Sequence, residues 1–273
     1  MLTLISATLN AGSHIEQAFA SAPKPPVAIQ HIVIDGGSND DTLAICDRFP
    51  WIEKLVIPGC SIYEAWNIGV ERAHGDWVMF LNADDELADD ATDIVAATFA
   101  AHPEAMIVAG RALMIERGNP SAPPRVLVAA PSGDLDVAQL ALGVPAINAM
   151  AFHRSLFGTH GCFETMYRVA GDRAFLLRLA LSAAPPIVAS VDAVLYRYYA
   201  HAGSLTLQRS LEQRLRIARD HIPLAKRLLA ARPPMAASRV LRYWRRREAA
   251  VGALRCAAAG RPLAALSFAA QLF

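Results

Sequence analysis

Asp84 and Asp85 follow the apolar run Val78-Met-Phe-Leu81, and adjacent acids at the tip of such a run are the first residues here that could do chemistry. Left bare in a cleft, two neighbouring carboxylates repel each other; a hard divalent cation shared with a phosphate removes that penalty. A third acid, Asp35, ends an earlier apolar run and is followed by Gly36, Gly37 and Ser38, where missing side chains let a flat ring or a ribose approach the backbone. A carboxylate only accepts hydrogen bonds, so Asp35 suits a ligand that presents N–H donors. Thr8 and Asn10 lie in a polar loop after the first apolar run, and Asn82 opens the loop that holds the acid pair. The other reading of the pair is a plain strand-to-helix turn with an aspartate cap.

Those loops share a rim only if strands and helices hold them there. Strands are expected over residues 2–8, 28–34, 55–57 and 78–81, with helices over 14–20, 42–49, 61–74 and 89–101 between and after them. The third helix starts at Ser61-Ile-Tyr-Glu64, a capping-box spacing. This alternation predicts a parallel sheet covered on both faces, in which ligands collect at the carboxyl ends of the strands. Beyond residue 103 the order loosens: a strand over 105–115, a Gly- and Pro-rich hairpin or loop over 117–131, a short helix over 135–142 and a strand over 145–153. A helix over 171–181 carries Asp172 in its first turn, and two short strands follow at 187–191 and 194–199. From about residue 207 the chain turns to helices of Leu, Ala and Arg, with seven Arg against one acid, Glu248, between Arg239 and Arg261. Such helices suit an anionic membrane surface, or equally a solvated face packed on the main domain. The expected division is residues 1–205 as one α/β domain, in two halves at 1–103 and 104–205, and 206–273 as a helical, Arg-rich extension.

A net charge of +1 over 273 residues excludes a uniformly basic surface, so no nucleic-acid partner is expected. No apolar stretch reaches the roughly 20 residues of a bilayer span. The N-terminus lacks the basic lead of a signal peptide, and Cys46, Cys60, Cys162 and Cys256 show no metal-ligand spacing, which together suit a reducing, cytoplasmic setting. No G-x-G-x-x-G follows the first strand, which counts against a dinucleotide, and the Gly-Lys-Ser/Thr ending of a phosphate loop is missing.

Three ordered segments, Ile34-Asp-Gly-Gly-Ser-Asn-Asp-Asp-Thr42, Ile62-Tyr-Glu-Ala-Trp-Asn-Ile-Gly69 and Gly75-Asp-Trp-Val-Met-Phe-Leu-Asn-Ala-Asp-Asp85, resemble the family 2 glycosyltransferases, above all members that make polysaccharides and lipid-linked glycans. The resemblance covers about residues 1–204 and implies that 1–103 is a nucleotide-binding half and 104–205 an acceptor-binding half. It implies a GT-A fold, a Rossmann-like, mostly parallel sheet with helices on both faces, here with a C-terminal helical extension. It implies a metal-dependent, inverting transfer from a nucleoside-diphosphate sugar, with a UDP-sugar the expected donor, to a hydroxyl of a glycan or lipid-linked glycan. The expected cofactor is Mn2+ or Mg2+. Carried over by position, Asp35 meets the base beside Thr8, Asn10, Gly37 and Ser38, and Asn67 and Asn82 complete the donor site. Asp84 lies by the ribose and diphosphate, Asp85 is the direct metal ligand with Asp84 beside it, and Asp172 is the base, with Glu164 as second candidate. Arg168, Arg173, His201 and Ser204 are candidates for contact with diphosphate or acceptor.

Asp172 has a plainer reading as a first-turn acid that only stabilises its helix. Two departures, Gly59-Cys-Ser61 in place of a charged loop and Asp41 in place of Gly, leave the acid pair untouched and are expected to tune donor choice. A sugar nucleotidyltransferase would carry a basic, Gly-rich loop after the first strand, and residues 7–12 contain no Lys or Arg. A catalytically inactive nucleotide-sugar-binding or scaffold domain is the non-enzymatic alternative, distinguished by binding without turnover.

Overall fold

Val78, Met79, Phe80 and Leu81 are fully buried in the computed structural model, which describes residues 1–24, 29–119, 121–130, 133–201 and 210–272. Their strand needs apolar side chains on both faces because helices cover the sheet on both sides. The first half runs β1 (Leu2–Thr8), α1 (Ile15–Ser21), β2 (Ile29–Asp35), α2 (Thr42–Cys46), β3 (Ile52–Val56), α3 (Ile62–Arg72) and β4 (Trp77–Phe80). β1 pairs in parallel with β2 and β4, and β2 with β3, so the spatial order is β3-β2-β1-β4. The chain winds outward from β1 to β3 and then returns to place β4 on the other side of β1. The crevice at that reversal opens at the carboxyl ends of β1 and β4.

The capping box forms as expected: the Ser61 hydroxyl accepts the Glu64 N–H at 3.3 Å and Glu64 accepts the Ser61 N–H at 2.7 Å. α3 lies close on β1 through Gly69, where an added Cβ would stand 2.4 Å from Ile5.

The second half runs β5 (Glu86–Leu87), α4 (Ala91–Ala101), β6 (Ile107–Glu116), β7 (Arg125–Val128), α5 (Val137–Leu142), a 3-10 turn (Ile147–Ala149), β8 (Met150–His153), α6 (Ser155–His160), α7 (Gly171–Ala180) and β9 (Val188–Ala200). The sheet continues β4-β8-β6-β9-β5, with β7 making a hairpin on β6. β8 is antiparallel to β4 and β6, whereas β6 and β9 are parallel. The sheet is therefore parallel through its first four strands and mixed beyond, and the whole is the GT-A fold. The strand expected over 55–57 lies at Ile52–Val56, the one over 145–153 is a 3-10 turn followed by Met150–His153, and α6 has no counterpart in the expected order. The strands at 187–191 and 194–199 are one 13-residue strand, continuous across a register irregularity opposite Ala109–Ala112. β5 is too short for any periodicity and exists only through its pairing with β9.

α8 (Leu211–Ala230), α9 (Met235–Ala258) and α10 (Pro262–Ala269) complete the chain. Leu224, Ala225, Leu228, Leu241 and Trp244 join the main hydrophobic core, while Leu215, Ile222, Ala249, Cys256 and Phe268 belong to a smaller cluster of their own. The helical extension is thus packed onto α5 and α7. Among the described residues no helix is long and apolar enough to cross a membrane. Ala28, Pro131, Ser204, the 205/206 boundary and the start of the extension at 207 lie outside the described residues.

Candidate active site

At the tip of β2, Asp35 has no exposed surface, and its Oδ1 accepts the N–H groups of Gly37 and Ser38, each at 2.8 Å. Its Oδ2 accepts the Ser38 hydroxyl. Ser38 Oγ in turn accepts the Asn10 N–H at 2.8 Å, and Asn10 Oδ1 accepts the Asn39 N–H at 2.9 Å. Asp35 therefore shapes the loop from within; Gly36 is buried, with its N–H on the Thr8 carbonyl at 2.8 Å and its carbonyl accepting the Gly59 N–H at 2.9 Å, and Gly37 is the exposed residue of the two. Gly37 takes a φ of +93°, which a side chain would resist. Thr8, 6% exposed at the end of β1, has a buried hydroxyl with no hydrogen-bond partner among the described residues.

The acid pair divides between inside and outside. Asp85 is 3% exposed; its Oδ2 accepts from Asn82 Nδ2 and the Tyr196 hydroxyl, each at 2.9 Å, and its Oδ1 accepts the Tyr199 N–H at 2.8 Å. Burial, and then the adjacent Asp84 charge, hold the Asp85 carboxyl well above the usual carboxylate range. The Asp84 side chain is 34% exposed, with Oδ2 at 2.8 Å from His201 Nε2. Asn82 Oδ1 is buried and has no donor among the described residues. A partly exposed carboxylate and, two residues earlier, an amide oxygen without a donor among the described residues are oxygen ligands of the kind that a hard divalent cation takes. Among the described residues no cage of three or more His, Cys, Asp or Glu is gathered. A Mg2+-type ion completed by diphosphate oxygens and water needs only one or two carboxylates, so these residues fit the expected cation.

Asp172 stands in the first turn of α7, where Oδ1 accepts the Tyr63 hydroxyl of α3 at 3.1 Å. Burial raises its pKa, opposed by the charge of Arg173, the Arg173 N–H and the Tyr63 hydrogen bond. The contact needs Gly171, because an added Cβ there would sit 2.7 Å from the Tyr63 ring. Tyr198 relates this acid to the pair. Its buried hydroxyl donates to Asn148 Oδ1 at 2.8 Å, and its pKa is driven well above the ordinary by burial and then by Asp85, Asp172 and Asp84. Both acidic sites thus act on one hydroxyl.

Other expected residues have different work. Glu164 binds Arg178 Nη1 at 2.8 Å and also accepts from Arg227, leaving its side chain 18% exposed. Both of its oxygens are taken up by arginines, and it anchors α8 against the loop before α7. Asn67 donates to the Phe163 carbonyl at 2.8 Å and accepts the Phe163 N–H at 2.9 Å, so it pins that same loop to α3 and not to the rim. Arg173 donates to the carbonyls of Leu140 and Gly143, with its guanidinium 5.7 Å from the Trp244 ring. It holds α5 and α9, away from any diphosphate. Arg168 is exposed.

Sequence reasoning missed Arg117 and His14. Arg117 donates to the Asp84 carbonyl at 2.9 Å and lies 4.2 Å over the Tyr199 ring. The His14 ring is 5.1 Å from His201, and burial, then Arg117 and His201, lower its pKa. Arg117 places a cation beside Asp84, and the His14 and His201 rings lie next to it. The signals available were position alone: His14 follows the first polar loop and Arg117 directly follows a long strand.

A GT-A sheet whose reversal crevice ends in this acidic, partly cationic rim defines the class as a glycosyltransferase. The sequence profile of the family described as Glycosyl transferase family 2 matches residues 3–158, more than half of the chain, and the chain belongs to that family. It is 31% identical over 186 residues to a PGL/p-HBAD biosynthesis glycosyltransferase of Mycobacterium tuberculosis, covering 65% of this chain and 69% of that protein. Its fold is similar to that of S. aureus TarS 1–349 in complex with UDP-GlcNAc, with a TM-score of 0.62 at 14% identity over 98% of this chain and 90% of the other. The full TarS chain is covered to 43%. A mannosyltransferase from Pyrobaculum calidifontis in complex with GDP-Man and Mn2+ is similar at a TM-score of 0.59 and 19% identity, over 98% of this chain and 78% of that one.

Proposed function

We propose that this glycosyltransferase moves a sugar, with inversion and with the help of a divalent cation, from a nucleoside diphosphate, UDP foremost, to a hydroxyl of a glycan or lipid-linked glycan. The observation that carries the reading is the division of the acid pair: the Asp84 carboxylate is partly exposed and the nearby Asn82 amide oxygen has no donor among the described residues, while Asp85 is tied down inside. On this reading Asp84 and Asn82 Oδ1 hold the cation, and Asp85 positions them from beneath. That differs from the expectation that Asp85 is the direct ligand. The cation, Mn2+ or Mg2+, supplies positive charge against the diphosphate that leaves. Solved relatives of the same fold carry UDP-GlcNAc, or GDP-Man with Mn2+, which supports a nucleotide-sugar donor.

The exposed turn at Gly37 receives the base over the platform that Asp35 builds, and Arg117 and His201 flank the diphosphate. Asp172 takes the proton from the acceptor hydroxyl as its oxygen bonds to the anomeric carbon, opposite the breaking bond to the nucleoside diphosphate. Tyr63 holds that carboxylate in place. We further infer that residues 1–103 form the donor half and 104–205 the acceptor half, with the extension as part of the acceptor side.

The test is a donor panel with Mn2+, Mg2+ or EDTA, reading nucleoside diphosphate release. Asp84→Ala is expected to abolish metal-dependent donor binding while lowering stability by only about 1 kcal/mol, since it removes one half-buried hydrogen bond to His201. Asp85→Ala strands three buried donors and is expected to lower stability by about 2–3 kcal/mol. Asp172→Asn keeps donor binding and suppresses transfer; normal transfer by that variant refutes the assignment of the base.

A further inference from the structure

Residues 210–272 carry thirteen Lys and Arg against three acids, net +10, whereas residues 1–209 carry thirteen against twenty-two, net −9. Part of the positive charge is matched locally: Arg227 by Glu164, Arg261 by Glu212 and Arg247 by Glu248. Arg239, Arg242 and Arg246 are exposed on α9 and have no acidic partner among the described residues. At 3.6 residues per turn they share one strip of the helix with Met235, Tyr243 and Leu254, which are 69%, 59% and 71% exposed. Leu241, Trp244 and Gly252 lie on the opposite side and are buried, and Glu248 is turned the same way, with 16% of its side chain exposed. α10, seated through Phe268 on Gly252, leaves Leu263 and Leu266 82% and 66% exposed.

We propose that the outer face of α9 docks on an anionic lipid surface. Arginines interleaved with an aromatic and long apolar side chains match a charged interface with an apolar layer just below it. A nucleic acid would reward the arginines and leave Met235, Tyr243 and Leu254 without a role. The inner face gives the docking a consequence. Trp244 packs on Arg173, the residue after Asp172, so the lipid-facing strip lies about one helix diameter, roughly 10 Å, from the helix that carries Asp172. A lipid-carried acceptor would reach the acceptor side without leaving its membrane; that consequence rests on the proposed transfer, whereas the docking does not.

The experiment is co-sedimentation of the full chain with vesicles of phosphatidylcholine alone or mixed with phosphatidylglycerol, at low and high salt. Selective, salt-sensitive binding to the mixed vesicles is expected. The triple variant Arg239→Glu/Arg242→Glu/Arg246→Glu should bind at least about a hundredfold more weakly. Arg72→Glu/Arg125→Glu/Arg154→Glu, an equal change of charge at exposed sites on the other part of the protein, should bind as the unaltered chain does. Unchanged thermal unfolding and donor turnover in solution for the α9 triple separate lost docking from lost folding or lost chemistry. Equal binding to both vesicle types, undiminished binding by the α9 triple, or preference for a single-stranded RNA over the mixed vesicles overturns the proposal.

Discussion

Asp172 and Tyr63 meet across 109 residues of sequence, and their hydrogen bond sets how the proposed base behaves with pH. A hydroxyl donating to a carboxylate favours the charged form, so Tyr63 pulls the Asp172 pKa down against the burial that raises it. Removing the hydroxyl leaves burial less opposed. Tyr63→Phe is therefore expected to move the acid limb of the rate profile upward by about one pH unit, the equivalent of roughly 1–1.5 kcal/mol for one charge-assisted bond. The Michaelis constant for the donor should stay unchanged. A profile that does not move would show that Tyr63 only packs. At this scale the sequence was least informative about carboxylates: Asp35, Glu164 and Asp85 share a residue class with Asp84 and Asp172, yet the first three are each held by several partners, whereas Asp84 is bonded to His201 and Asp172 to Tyr63.

β2 shows how an element that positions the site also limits it. His31 lies in the middle of the strand, 3% exposed, with Nε2 3.0 Å from Ser6 Oγ and Phe19 edge-on at 5.3 Å. Burial lowers its pKa from 6.5 to about 4, so above the upper value both folded and unfolded chains are neutral here and nothing is lost. As pH falls through this window the unfolded chain binds a proton that the folded strand refuses, and stability declines by about 3 kcal/mol in all. Denaturant titrations of the parent and His31→Gln, at neutral pH and at the acid end of the window, should show this part of the acid sensitivity in the parent alone. The elements themselves were largely legible. Apolar runs bounded by Gly, Pro and Asp predicted β1, β2, β4 and their helices, because local pattern and burial agree there. β5 and the fused β9 were not, since pairing with remote strands defines them.

Across the whole molecule, the extension and the GT-A part are held together at the loop before α7. Asp220 accepts the Val169 N–H at 2.7 Å, Arg227 pairs with Glu164, and Trp244 is buried against His221 and Arg173. Trp244→Ala is expected to cost about 3–5 kcal/mol and lower the melting temperature by roughly 10 °C. Transfer should fall further than donor affinity, because the proposed donor rim belongs to β1, β2 and β4 while α9 supports α7, which carries the proposed base. Calorimetry with parallel donor-binding and transfer assays measures this split, and equal losses in both would contradict it.

By itself the sequence determined the alternation of strands and helices, the capping box of α3, the family and the strand tips where polar loops would gather. Those depend on contacts between near neighbours and on which segments must be buried. Only the tertiary structure decided which acid faces outward. Asp85 is turned inward by a tyrosine 111 residues away, Glu164 is claimed by an arginine 63 residues away, and the Arg-rich helices present one face to the core and one to solvent. A side chain's direction is set by partners that the fold brings to it, and those partners carry no local mark in the chain.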